Sequence, residues 1–287
     1  MNRFDKIICT FGDLGAPTMR GKRLRLMLAC ILIFSALIAA AQIMGTSGLT
    51  TNLKLRNMPP SLSFPFGTDW LGRDMLTRTI LGLYEGLKLG FLAAACSGVI
   101  SLVLGSIAGL RGGHVDQLIC GLINVVMSTP HLVLLILISF VLGGGTKGVI
   151  LAVALSHWPQ LARIIRAEVM QLKSAPYIHL SARLGRSKSW IIRKHMLPHL
   201  VPQCLIGFML LAPHAILHAA GLTFLGFGVS PHIPNIGMLL AESMRQISTG
   251  YWWLAVIPGA SLVMMVLTFD TLASTARALL NPKTRQE

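Results

Sequence analysis

The sequence predicts an all-α integral-membrane protein with six transmembrane helices, and three observations carry that expectation. Of the 287 residues, 53% are hydrophobic and only 12% charged, whereas a soluble domain carries about 25% charged residues; mean hydropathy is +0.67. Six apolar runs each approach the roughly 20 residues needed to cross a hydrocarbon core of about 30 Å. Lys and Arg gather at alternate ends of these runs, the bias that orients membrane helices.

The runs lie at about 26–44, 87–110, 117–142, 148–168, 200–226 and 252–275. Arg20, Lys22, Arg23 and Arg25 precede the first, which places its N-terminal end in the cytoplasm. Alternation then makes 111–116, 169–199 and 276–287 cytoplasmic, and these segments with their flanks hold most of the 25 Lys and Arg. Both termini are therefore expected inside. Ala39 and Ala41 also fit the small-x-small pattern of a signal-peptide cleavage site, but the apolar stretch exceeds the usual length of about 7–15 residues, so it is read as a retained anchor. The polar segment from about 45 to 86, with Pro59, Pro60 and Pro65, reads as an extracytoplasmic excursion. The chain thus divides into 1–86, comprising cytoplasmic N-terminus, first span and outer segment, and 87–287, a five-helix core with a cytoplasmic loop at about 169–199. Within the third run Pro130 predicts a kink, tolerable where neighbouring helices satisfy the freed backbone group. Asp270, late in the sixth run, is expected at a polar interior or the cytoplasmic interface.

Several chemistries are excluded or set aside. The net charge of +15 is not interleaved with stacking aromatics and sits beside apolar runs, so it orients the protein in lipid rather than binding nucleic acid. Cys9, Cys30, Cys96, Cys120 and Cys204 form no C-x-x-C pair and read as small hydrophobes. Asp69 and Asp74 suggest an acid/base pair, yet Arg73 stands four residues after Asp69 and can neutralise it; a structural or docking use is expected. Gly143-Gly144-Gly145-Thr146-Lys147-Gly148 lacks the G-x-x-x-x-G-K-[ST] spacing that cradles phosphates and reads as an interhelical turn. No G-x-S-x-G or H-E-x-x-H occurs, which argues against a membrane-embedded enzyme. Met264-Met265 is read as flexible packing.

The basic, helix-compatible stretch Tyr177–Pro198 between two apolar runs is the most informative segment. It resembles the cytoplasmic coupling loop of the membrane subunits of binding-protein-dependent ABC importers, on Ala182, Gly185, Ile191, Ile192, His195, Leu197 and Pro198. It departs from the Y-V-E-A-A-R-A-L-G form of the peptide and nickel importers at His179, Leu180 and Ser181, where the acidic anchor is missing. Phe66–Asp74 through Arg78 resembles the G-T-D-x-x-G-R-D segment before the second span of those permeases, and Arg111–Asp116 their G-G-x-x-D turn. The resemblance implies a type I ABC importer permease core in a bacterial cytoplasmic membrane, without a nucleotide site of its own. It further implies a homologous second permease, two ATP-binding subunits carrying ATP and Mg²⁺, and an extracytoplasmic solute-binding protein. Coupling to the ATPases would fall to Ala182, Gly185, Ile192, His195, Leu197 and Pro198.

The histidines are the sharper signal for cargo. His157 sits mid-way along the fourth run, and His214 and His218 mid-way along the fifth at i,i+4 spacing, on one helix face. The S-H-W and H-x-x-x-H-x-A-G-x-[ST]-F-L-G-x-G-V patterns resemble the nickel-type branch, while the dipeptide branch carries an acidic residue at the Ala219 position. Intramembrane ionisable groups usually face a pathway, and neutral imidazole suits nickel, copper, zinc or iron. His157, His214 and His218 are therefore expected to line a path for nickel or another transition metal, free or chelated, with no stable metal site. The competing view is that each imidazole donates to a carbonyl of a neighbouring helix. His131, His179, His195, His199 and His232 lie nearer run ends or in loops, and His195, which belongs to the coupling motif, is not expected as a ligand. The alternative cargo is a dipeptide or oligopeptide; the alternative class is a passive channel or secondary carrier, which would work without an ATPase.

Overall fold

The computed structural model describes residues 19–228 and 234–280; Cys9, His232 and the C-terminal segment 281–287 lie outside them. The described regular structure is helical, apart from one isolated bridge between Thr68 and Asp74. In chain order come α1 (Met19–Met44), α2 (Met75–Arg111), α3 (Gly113–Ser128), α4 (His131–Val141) and α5 (Gly145–Lys173). They are followed by α6 (Pro176–Arg183), α7 (Lys188–Ile191), α8 (Leu197–Phe224), α9 (Ile236–Met244) and α10 (Trp253–Leu280). Five of these elements are long and apolar enough to cross a membrane, α7 and α8 counting as one, and the pair α3–α4 makes a sixth if its two arms form one span.

The third run is broken rather than kinked. Thr129 leaves the helix with extended backbone (ψ 136°) because the residue before a proline is driven out of the helical region. Pro130 then starts α4, and the two arms meet at 103°. The second span also begins earlier than its apolar run, at Met75 rather than 87. Asp74 caps it, accepting hydrogen bonds from the amides of Leu76 and Thr77 at 3.2 and 2.9 Å. Its first turns are polar, and Arg78 is accommodated there by ion pairing. The segment between the first two spans thus shortens to two 3₁₀ turns and a loop ending at Asp74.

The core lies where α2, α5 and α8 pack, with α4, α9 and α10 completing it through residues such as Leu135, Val149, Ile216, Ile236 and Phe269. Close approach of α2 to α5 depends on small residues: a Cβ on Gly105 would stand 2.6 Å from the Ala162 carbonyl oxygen. In lipid, where burial of apolar surface drives little association, such backbone contact is what holds helices together. α1 lies outside this bundle, against α10 and α2, with Phe34 edge-on to Phe269 at 5.0 Å. Leu37 packs beside Phe34 against the core, and the other Leu and Ile side chains of α1 stand exposed, as lipid requires. Asp270 is exposed, and Cys30, Cys96, Cys120 and Cys204 are free thiols.

Candidate translocation cavity and coupling helix

A cavity of about 460 Å³ opens between α4, α5 and α8, lined by His131, His157, Gln160, Gly207, His214 and His218 among others. Three of its imidazoles converge. The ring of His131 lies 4.6 Å from those of His157 and His218, which are 5.0 Å apart, and one ring nitrogen from each falls within 4.8 Å of the others. His157 and His218 were expected here. His131 was not: it read as the end of a run, but the break at Pro130 turns it inward as the first residue of α4. His214 lines the cavity but stands outside the convergent three, one turn before His218 along α8.

The ring of His157 is oriented by its own helix. Its Nδ1 lies 2.9 Å from the Val153 carbonyl oxygen and 2.9 Å from Ser156 Oγ, whose hydroxyl donates to the same carbonyl. A carbonyl only accepts, so Nδ1 carries the proton and Nε2 presents a lone pair. The Nε2 of His131 is buried and has no hydrogen-bond partner.

The loop between α5 and α8 folds as a helical hairpin whose turns its sequence specifies. Pro176 occupies the first turn of α6. Gly185, at φ +79°, ends it: the Gly185 amide donates to the Ala182 carbonyl at 3.1 Å and the Arg186 amide to that of Ser181 at 3.2 Å, the paired bonds of a Schellman stop. A Cβ on Gly185 would meet nothing within 4 Å, so the glycine serves the bend and no close approach within this chain. Ser187 caps α7, accepting from the Trp190 amide. The chain then enters a π turn at Ile192–Met196, closed by the Leu197 amide donating to the Ile192 carbonyl, and runs directly into α8.

His195 Nε2 lies 3.2 Å from Ser181 Oγ, and the ring stands edge-on to Tyr177 and Trp190 at 5.7 and 5.2 Å, tying the two arms of the hairpin. Ile178 and Ile191 anchor it on Val169, Leu172 and Leu200. Ile192 is half-buried, whereas Ala182, Gly185, Leu197 and Pro198 are exposed, beside Leu180 and Leu184, so the hairpin presents an apolar outer face.

On another part of the molecule Asp69, expected to pair with Arg73, does so at 2.7 Å but also takes Arg78 at 2.5 Å. Arg78 in turn reaches Glu242 of α9 at 2.9 Å. This network and the capping role of Asp74 occupy both carboxylates of the suggested acid/base pair. The Gly143-Gly144-Gly145 stretch is a turn at positive φ that leads into α5. Asp116 is held by Arg166 through two contacts of 2.5 and 2.6 Å, fixing α3 to α5.

The chain is 32% identical over 235 residues to the dipeptide transport system permease protein DppC of Bacillus subtilis, covering 82% of this chain and 73% of that one. It is 33% identical over 237 residues to the oligopeptide transport system permease protein OppC of the same organism, covering 83% and 77%. A putative peptide transport system permease protein of Brucella abortus matches at 31% over 271 residues, 93% of this chain and 90% of its own. Among solved structures the inward-facing MetNI methionine ABC transporter superposes with a TM-score of 0.57 at 19% identity, over 72% of this chain and 98% of that chain, which supports the fold. The model of the binding-protein-dependent transport system inner membrane component matches residues 101–286, and the chain belongs to that family of ABC importer permeases.

Proposed function

We propose that this chain is the membrane subunit of an ATP-driven importer for short peptides or solutes of similar size. The observation that carries the reading is the 31–33% identity, over four fifths of the chain or more, to proteins named as dipeptide, oligopeptide and peptide permeases. A cavity of about 460 Å³ is in keeping with a small-molecule site, typically about 300–1,000 Å³. Nickel, expected from the histidines, is not a cargo for which these relatives are named, and the peptide alternative fits them better.

The exposed apolar face of α6 is the surface offered to an ATP-binding partner, which would supply ATP, Mg²⁺ and the hydrolysis. Because α7, the π turn and α8 are continuous, a displacement of the hairpin reaches His214, 17 residues beyond Leu197, or about 25 Å along the helix. The expected motion is a rigid-body shift between two arrangements of the spans. A homologous permease, a second ATP-binding subunit and an extracytoplasmic binding protein complete the assembly, in the bacterial cytoplasmic membrane with both termini inside. The test is reconstitution with these partners and uptake of a labelled dipeptide. ATP-dependent accumulation is expected; uptake that proceeds equally without ATP or without the ATP-binding subunits would refute the reading in favour of a channel or secondary carrier.

A further inference from the structure

Histidines that merely bridge helices donate to the carbonyls of their neighbours. The three convergent imidazoles do otherwise. They come from three separate helices, they face one another, and no carboxylate is among the residues lining the cavity beside them. The backbone bond from His157 to Val153 stays within its own helix and fixes the tautomer that exposes Nε2. A metal-bound histidine usually donates its second ring nitrogen to a carbonyl or carboxylate in this manner. A buried polar atom without a partner is costly, and the Nε2 of His131 is such an atom.

We propose that His131, His157 and His218 form a three-nitrogen site for a divalent first-row transition cation, which enters as the bare ion or as a small chelate from the cavity side. Metal–nitrogen bonds of about 2.0–2.1 Å require the three nitrogens to close to roughly 3.3 Å from one another. They start within 4.8 Å, so rotation of the side chains suffices. Imidazole nitrogen selects nickel, copper, zinc, cobalt or iron over magnesium and calcium. Three protein ligands leave positions open towards the cavity, where a chelator's donors or water complete the shell. With no anionic ligand the site binds weakly, as passage demands, since a closed site of high affinity would trap what it carries. This inference rests on the reading of the cavity as the translocation path, and it narrows the cargo to one that presents a metal.

The test uses the full-length chain assembled with its partner permease and ATP-binding subunits in nanodiscs, titrated with Co²⁺, whose visible absorption strengthens when the ion leaves octahedral water for a site of lower coordination. A saturable absorption reaching one equivalent per chain, displaced by Ni²⁺ or Zn²⁺ but not by Mg²⁺, is expected. His131→Ala, His157→Ala and His218→Ala should each weaken it by about tenfold or more. His218→Gln, which keeps a polar side chain of similar reach, guards against misfolding, and co-elution of the ATP-binding subunits verifies assembly. His114→Ala, at an exposed position in α3, should leave the titration unchanged. Uptake into proteoliposomes is then measured for Ni²⁺ alone, for its 1:1 complex with glycyl-histidine, and for metal-free glycyl-histidine. Histidine-dependent flux of the first identifies the bare ion as cargo, and of the second alone the chelate. Absence of saturable Co²⁺ absorption alongside normal ATP-driven uptake of the metal-free dipeptide would overturn the metal site and leave the importer reading standing. Histidine-dependent Co²⁺ binding without ATP-driven uptake of any probe would support the site and overturn the importer reading.

Discussion

Replacing Asp69 by Asn tests how the outer segment is held to the bundle. The Asp69 carboxylate accepts from the amides of Leu71 and Arg73 at 2.9 and 2.8 Å, from Arg73 Nε at 2.7 Å and from Arg78 Nη1 at 2.5 Å. Its side chain is 3% exposed and that of Arg78 6%, while Glu242 is 29% exposed. Asn can keep the two amide bonds on its oxygen, but its NH₂ then faces two guanidinium donors. Two charge-assisted bonds of about 1.5–3 kcal/mol each are lost, and Arg78 is left buried with one partner in place of two. The expected destabilisation is about 3–5 kcal/mol, the range for breaking a buried pair from one side. Glu242→Gln, at the wetter end, should cost only about 1–2 kcal/mol. The double replacement of Asp69 by Asn and Arg78 by Met removes the stranded cation and should recover part of the loss. Thermal unfolding of the detergent-solubilised protein, followed by size-exclusion retention, ranks the variants. Equal midpoints for Asp69→Asn and Glu242→Gln, or a double variant worse than Asp69→Asn by the full cost of a second lesion, would refute the reasoning.

Other expectations follow from single positions. Gly105→Val drives a side chain into the Ala162 carbonyl and should cost about 1–3 kcal/mol, whereas Gly98→Ala, whose added Cβ meets nothing within 4 Å, should be neutral or stabilise by a few tenths up to about 1 kcal/mol in the same assay. Gly185→Ala forces a side chain to φ +79° at a cost of about 1–2 kcal/mol; uptake should fall and ATP hydrolysis become independent of cargo, with membrane abundance unchanged, and normal coupled uptake would count against the hairpin as the point of coupling. Leu62→Cys, on a fully exposed side chain of the outer segment, should react with an impermeant thiol reagent from outside intact cells, while a reporter fused after Glu287 should be cytoplasmic. The reverse pattern would invert the topology drawn from the Lys and Arg bias.

The helical class and the apolar runs were legible because each is a local matter of composition; the hairpin was read only as one helix-compatible stretch, although Pro176, Gly185 and Ser187 carry the local signals of its turns. The cavity was legible only in part. The i,i+4 spacing that put His214 and His218 on one face ignores the rise of about 6 Å between them, enough to leave His214 outside the convergent group. His131 was hidden because its meaning depends on the angle at which α4 leaves α3; the available signal was Pro130 in mid-run, read as a bend to be tolerated when it was a break that re-aims the next residue. The early start of α2 was concealed by Arg78, whose two partners, Asp69 and Glu242, lie 9 and 164 residues away. Pairings at such separation leave no periodicity to read.

The π turn at Ile192–Met196 has a consequence for how the two ends of the coupling element are set against each other. A helix advances by about 100° per residue, and a π turn accommodates an additional residue without lengthening the rod by a full step. It therefore acts as a phase adjuster between the hairpin, whose orientation Ser181 and His195 fix, and the face of α8 that carries His214 and His218. Winding the same residues as an ordinary α-helix would turn the cavity face by about 100° relative to the hairpin, whereas removing one residue together with the bulge would keep the two in line. On the proposed importer reading, a one-residue deletion within the turn should therefore be tolerated, while a deletion farther along α8, which no bulge absorbs, should abolish transport with assembly intact.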